Sequence, residues 1–384
     1  MSHTTPTPFC ATSRRRGVAT AAIATVALLA AVGCSSSPTT APPAPIVDRA
    51  ALQEELDSLV ALGVPGAVLS IQDGGRSVVL TAGVSDLDAG TPMSAGDTFR
   101  IASLTKSYTA TVVLQLVDEG TLSLDDTVQQ WLPDIVADAD LITIRQLLDH
   151  SSGVADYFED ESVLQPYLDG DFGHVWTPQQ LVAIGDHLGS RSAPGQQVNY
   201  SNTNYAIVGL IVEQATGHPL GEEMRTRIFE PLALEHTTFA VDAAPDGEMA
   251  HGYLMGDGDP IDVTGVYPFA WGAGNIVADA ADVATFYAAL LGGDLLPPAL
   301  LAEMRPSITD DVPYGLGLMA WSMPCGTATG HDGGFAGYSS RALVRDDGRQ
   351  VVILSNSITI DDELTADPAA GPQYEAILES AFCG

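Results

Sequence analysis

Phe99-Arg-Ile-Ala-Ser-Leu-Thr-Lys-Ser-Tyr108 holds the pattern S-x-x-K in Ser103 and Lys106, and Lys106 is the only lysine in the 384-residue chain. The other 14 basic residues are all arginine. An apolar run from Ala110 leads into Gln115-Leu-Val-Asp-Glu119, so a helix is expected to start near Ser103. Residues three apart share one face of a helix. The Ser103 hydroxyl and the Lys106 amine would then meet at the helix N-terminus, where free N–H groups and the positive dipole end suit a developing oxyanion. A lysine packed between two lobes loses its proton more readily and can act as base for the serine. Taken alone, the stretch fits equally well an N-cap serine followed by a solvated lysine.

The chain opens with features of export. Residues 1–33 have a basic start, Arg14-Arg-Arg16, and an Ala-rich apolar core from Val18 to Val32 that is short for a membrane span. Ser13-Arg-Arg15 loosely resembles a twin-arginine signal. Ala31-Val-Gly-Cys34 resembles a bacterial lipobox and makes Cys34 a candidate lipidation site; ordinary secretion with cleavage nearby is the alternative. Residues 34–48, rich in Ser, Thr, Pro and Ala, read as an extended tether. The expected location is the cell envelope, lipid-anchored outside the cytoplasmic membrane, or the medium.

Loss of the leader removes three arginines and no acid, leaving 12 basic against 49 acidic residues, a formal charge of −37. Such a surface disfavours nucleic acid and anionic membrane as partners. Hydrophobic residues make up 46% of the chain, enough for a large core, so the acid excess does not signal disorder. Of four cysteines, Cys10 leaves with the leader and Cys34 is the lipid candidate. Cys325 and Cys383 remain, and in an exported protein such a pair is expected to form a disulfide. No metal site or cofactor is expected.

The rest of the chain, 49–384, reads as one domain. Arg49 to Leu62 is helical in pattern. Gly66 to Gln72 and Ser77 to Gly83 form a hairpin about Asp73-Gly-Gly75. Helices are expected from Ile144 to Leu148, Pro178 to Leu188, Asn204 to Thr216, Leu220 to Phe229, Ala280 to Leu291 and Pro372 to Phe382. Late strands are expected at Gly315 to Trp321, Tyr338 to Arg345 and Gln350 to Asn356. The fold class is therefore α/β (α+β): one antiparallel sheet drawn from 49–102 and 268–384, flanked by helices, with an all-helical part inserted over 103–267.

Two further stretches carry polar groups with chemistry. In Tyr200-Ser-Asn202 an extended backbone would point a phenol and an amide the same way, one to relay a proton and one to hold a carbonyl. A buried tyrosine beside a capping asparagine would look the same. Gly330-His-Asp-Gly-Gly-Phe-Ala-Gly337 lies where a strand belongs, and its glycines would let a substrate backbone approach. His331 would add a polar group beside the nucleophile. A Gly-rich hairpin with a surface histidine is the alternative. The remaining histidines, His150 among them, read as structural or solvated.

Penicillin-binding proteins and class A β-lactamases share S-x-x-K, S-D-N and K-T-G in that order. Ser103-Leu-Thr-Lys106, Tyr200-Ser-Asn202 and His331-Asp-Gly333 are counterparts, and the YxN and HxG forms resemble the class C β-lactamase/DD-peptidase family from about Val64 to Gly384. Asp118 to Asp126, Gln146 to Gly153, Asn202 to Gly209, Ile228 to Leu232 and Tyr314 to Leu318 extend the likeness, as does the terminal Glu379 to Gly384, which is similar to secreted actinomycete D-alanyl-D-alanine carboxypeptidases. The resemblance implies a β-lactamase/DD-peptidase-like fold and an acyl-enzyme on Ser103. It implies that Lys106 and Tyr200 share the acid and base roles, with His331 supporting the Tyr200 relay. Asn202 would hold the acyl side chain, the Ser103 and Gly334 N–H groups would form the oxyanion hole, and Asp332, Gly333, Trp271 and Met319 would border the substrate.

The departures bear on substrate. Where carboxypeptidases have hydroxyl residues that hold a terminal carboxylate, this chain has Asp332 and Gly334, and Met319 stands in place of an arginine. A carboxylate at 332 repels another carboxylate. The sequence supports an exported, monomeric serine hydrolase: a D-Ala-D-Ala carboxypeptidase acting on peptidoglycan stem peptides, with β-lactams as inhibitors. The alternatives are a same-fold esterase, D-amino-acid peptidase or β-lactamase. A non-catalytic wall-binding module ranks last, because Ser103, Lys106 and Tyr200 are intact.

Overall fold

The computed structural model describes residues 47–241, 249–256, 258–306, 313–359 and 370–384. The expected leader, Cys34 and nearly all of the tether lie outside the described residues.

Helix α1, Arg49–Ala61, starts where the Asp48 carboxylate accepts the N–H groups of Ala50 and Ala51 at 3.0 and 3.2 Å. Strands β1, Gly66–Asp73, and β2, Arg76–Asp86, pair with Asp73 opposite Arg76. Gly74 and Gly75 take φ of 55° and 77°, as a tight two-residue hairpin turn requires. Strand β3, Thr91–Pro92, edges β2. The later elements are α2, Thr105–Asp118; α3, Asn202–Thr216; α4, Ala280–Gly292; β4, Met319–Met323; β5, Gly326–Phe335; β6, Tyr338–Arg345; β7, Gln350–Ser355; and α5, Gly371–Cys383.

The seven strands form one antiparallel sheet in the order β3-β2-β1-β7-β6-β5-β4, so the two ends of the chain meet at β1 and β7. Both central strands are apolar on both faces because helices cover both sides. On one side Leu69, Leu343 and Ile353 pack with Leu52 and Leu56 of α1 and Ile377 and Phe382 of α5. On the other, Tyr338, Val352 and Leu354 join the core of α2, α3 and α4. Helix α2 is buried nearly all round, which explains its apolar sequence. Cys325, in the turn between β4 and β5, is bonded to Cys383 at the end of α5.

Three expectations are corrected. The span 103–267 is not all-helical: Thr238–Phe239, Tyr253–Met255 and Ile261–Asp262 are strands in two small extra sheets. The strand expected from Gly315 begins at Met319, because Gly317 takes φ 76° and Gly315 N bonds back to Leu318 O, folding Tyr314 to Leu318 into a turn. The helix from Leu220 ends at Met224 and continues as a π turn, Arg225–Phe229. Among the described residues no helix is long and apolar enough to cross a membrane.

Candidate active site

Ser103 sits in a single 3-10 turn, Ala102–Leu104, that feeds α2. The entry is sharp: Ala102 is fully buried and takes φ 49°, a left-handed conformation that costs an alanine energy and presents Ser103 at the sheet edge. Ile101 holds the turn in place. Its N–H donates to Ile276 O at 3.0 Å and its carbonyl accepts Ser340 Oγ at 2.7 Å.

One helical turn on, the fully buried Lys106 amine lies 3.0 Å from Ser103 Oγ, 2.7 Å from Asn202 Oδ1 and 3.1 Å from Ala273 O. The two carbonyl oxygens can only accept. A neutral amine would give its two hydrogens to them and turn its lone pair to the Ser103 hydroxyl, which is the geometry of a general base. Burial brings Lys106 down to about 7, against the attraction of Asp156 and Asp332. The amine therefore sheds its proton close to neutrality.

Tyr200 borders the cleft beside Ser103 at 43% exposure. Its ring centroid is 4.8 Å from Lys106 Nζ. Desolvation raises its phenol well above the ordinary range, against the influence of the nearby Ser103, so near neutral pH Tyr200 keeps its proton while Lys106 titrates. Asn202 is the first residue of α3. Its Nδ2 donates one hydrogen to Asp156 Oδ2 at 2.7 Å while its Oδ1 accepts from Lys106, which leaves the second Nδ2 hydrogen for a ligand, and Asn202 lines the cleft.

Asp156 escaped the sequence reading. Its carboxylate accepts the N–H groups of Asn202 at 3.1 Å and Phe158 at 3.0 Å, and burial pushes it up against these bonds and the Lys106 charge. No spacing pattern marks it; only the fold brings it beside Asn202.

Strand β5 runs past Ser103. β4 pairs with β5 only as far as Gly330 opposite Met319, so among the described residues no strand covers the edge from His331 to Phe335. A Cβ on Gly333 would lie 2.7 Å from Ser103 N, 2.8 Å from Ser340 Oγ and 2.9 Å from Ile101 O, which explains glycine here. His331 is buried and does not serve Tyr200 directly. Its Nδ1 donates to Asp332 O, its Nε2 accepts the Tyr314 hydroxyl at 2.9 Å, and its ring centroid is 6.5 Å from that of Tyr200. Burial and the Lys106 charge lower His331 to about 3, so it stays neutral.

Asp332 alternates to the opposite side of β5 from His331, pairs in register with Arg341 and has a side chain 45% exposed. Arg341 is itself bonded to Glu375 at 2.6 Å. Asp332, Gly333 and Gly334 line the cleft, whereas Trp271 and Met319 do not. Trp271 turns instead against Phe239, at 5.5 Å between rings, and over Gly209 of α3; Met319 stays one strand away.

The cleft is a cavity of about 860 Å³ that opens on Ser103. Aromatic rings form one wall: Tyr167 stacks on Phe269 at 4.8 Å, Phe335 meets Phe269 edge-on at 5.0 Å, and Phe158 lies 5.9 Å from Phe335. The groups brought together are a serine hydroxyl, a buried amine, a neutral phenol, an uncovered strand edge and an apolar pocket.

Known proteins are similar to this chain over most of its length. The chain is 32% identical to "Penicillin-binding protein 4" of Amycolatopsis lactamdurans over 336 residues, 80% of this chain and 85% of the relative. A D-stereospecific amidohydrolase from Streptomyces sp. superposes with a TM-score of 0.78 at 37% identity, covering 88% of this chain and 99% of that one. A D-amino acid amidase from Ochrobactrum anthropi SV3, solved with D-phenylalanine, superposes with a TM-score of 0.75 at 29% identity, covering 86% and 98%. Residues 50–372 match the β-lactamase family, and the chain belongs to that family of penicillin-binding-type serine hydrolases.

Proposed function

We propose that this protein hydrolyses amides or esters of D-configured acyl groups bearing a bulky apolar side chain, with a leaving group that carries no carboxylate. The aromatic wall of the cavity at Ser103 is the observation that carries this. Rings of this kind recognise apolar side chains by area and edge-to-face contact. Asp332 beside the strand edge disfavours a leaving group ending in a carboxylate. The amidohydrolase and D-amino acid amidase neighbours support the D-amide assignment.

In the proposed reaction, Ser103 Oγ attacks the acyl carbonyl and passes its proton to neutral Lys106. The N–H groups of Ser103 and Gly334 receive the oxyanion. As the C–N or C–O bond breaks, the Tyr200 hydroxyl gives its proton to the leaving group and is reprotonated from Lys106. Water then attacks the Ser103 ester and gives a proton to Lys106, which returns it to Ser103 Oγ as the ester bond breaks and the acid leaves. The acidic chain and the Cys325–Cys383 disulfide support the proposal of an exported monomer that engages no nucleic acid.

The D-Ala-D-Ala carboxypeptidase is the second reading. It is favoured by the penicillin-binding relative and by Arg341 opposite Asp332, a cation near the place of a terminal carboxylate. Values of kcat/KM for D-phenylalaninamide, L-phenylalaninamide and N-acetyl-D-Ala-D-Ala separate the two. The proposal expects the D-amide first. A preference for the dipeptide would establish the carboxypeptidase.

A further inference from the structure

His150 is fully buried and lies against Tyr200, with ring centroids 4.3 Å apart. It grips both neighbours of that tyrosine. Its carbonyl accepts Asn199 N at 2.8 Å and its Nδ1 accepts Ser201 N at 3.1 Å. A backbone N–H can only donate, so Nδ1 carries a lone pair and the ring proton sits on Nε2. That Nε2–H has no hydrogen-bond partner among the described residues and is enclosed by the rings of Tyr200, Tyr314 at 4.6 Å and Tyr205 at 5.4 Å. His150 also takes φ 62°. An orphaned buried N–H and a left-handed backbone are both unfavourable, and both fall on the residue that touches the Tyr200 segment at three points.

We infer that His150 is a positioning residue for Tyr200: it fixes the backbone on either side of the phenol and supports its ring, so that the hydroxyl is held toward Ser103. The role rests on the proposed serine acyl transfer. It accounts for a histidine where a plain apolar side chain would fill the space but leave the Ser201 N–H unbonded. The ring must stay neutral to accept that bond. Burial first, and then the Lys106 charge, hold His150 well below the ordinary histidine range, which keeps it so.

The test is a mutant cycle. His150→Asn keeps a side-chain carbonyl for Ser201 N–H and tolerates the left-handed backbone, but removes the ring. His150→Ala removes both. Acylation is followed by the nitrophenol burst from a neutral p-nitrophenyl ester, in the native chain and in Tyr200→Phe. We expect losses of about tenfold for Asn and about a hundredfold for Ala in the native background, with KM steady within about twofold. In Tyr200→Phe both losses should shrink below about twofold, because His150 would have nothing left to position. Equal losses in the two backgrounds, or none in either, would overturn the inference. Amide hydrogen exchange at Ser201 needs no substrate: it should quicken in His150→Ala and stay near native in His150→Asn, and an unchanged rate in Ala would also overturn it. Failure of the hydrolase proposal shows separately, as an ester turnover that survives Ser103→Ala.

Discussion

Replacing Asp156 with Asn removes a negative charge that is two hydrogen bonds from the Lys106 amine. Asp156 Oδ2 accepts Asn202 Nδ2 at 2.7 Å, and Asn202 Oδ1 accepts Lys106 Nζ at 2.7 Å. The two bonds and the width of the amide set a charge separation of about 7 Å. At an effective dielectric constant of about 20 the attraction is then about 2 kcal/mol, or between about one and two pH units. The carboxylate favours the ammonium form, so it holds Lys106 up at about 7 against desolvation. Without it Lys106 deprotonates at lower pH, and the acid limb of kcat/KM should move down by about one to two units. The assay is kcat/KM for a neutral p-nitrophenyl ester between pH 4.5 and 9, where the substrate does not titrate. Near pH 8, where the native amine is already neutral, the variant gains nothing. An acid limb that stays near pH 7, or moves up, would refute the assignment of Lys106 as the base coupled to Asp156.

Lys106→Met should abolish ester hydrolysis yet stabilise the fold. Lys106 falls from 10.5 to about 7 on burial, so between those values the unfolded chain holds the extra proton and stability rises with pH. Below pH 7 the full cost applies, about 4–5 kcal/mol before its three hydrogen bonds are credited, and urea unfolding at pH 6 should show a net gain of roughly 2 kcal/mol. Gly333→Ala places a methyl 2.7 Å from Ser103 N and should slow acylation by about a hundredfold or more in burst kinetics while secondary structure by circular dichroism is unchanged. Cys325→Ser opens a 58-residue loop and should cost about 4 kcal/mol in denaturant unfolding, with little change in kcat.

Much of the fold was legible because its signals are local. The Asp73-Gly-Gly75 turn, the apolar β1 and β7 and the periodic helices each announce themselves within about a dozen residues, and β6 runs from Tyr338 to Arg345 as expected. Ser103 and Lys106 were legible for the same reason: one helical turn separates them. The contacts that organise the site are long-range. Asp156 reaches Asn202 across 46 positions and His150 reaches Ser201 across 51, and no periodicity encodes such pairs. The bond from Tyr314 to His331 was not legible, because Tyr314 stands in a turn that lies just before the strand expected from Gly315 and its hydroxyl reaches His331 across 17 positions. Trp271 misled for a related reason: its left-handed backbone at φ 49° turns the indole away from the cleft.

The central claim, a covalent acyl group on Ser103 formed with Lys106 as base, is tested most directly by intact mass. The mature protein is mixed with p-nitrophenyl phenylacetate, a neutral ester with an aromatic acyl group, and quenched in acid within milliseconds. The predicted result is a single phenylacetyl adduct on the peptide carrying Ser103, formed fastest above pH 7 and absent from Ser103→Ala and Lys106→Met. Turnover of the ester with no adduct on that peptide, or an equal adduct in Ser103→Ala, would contradict it.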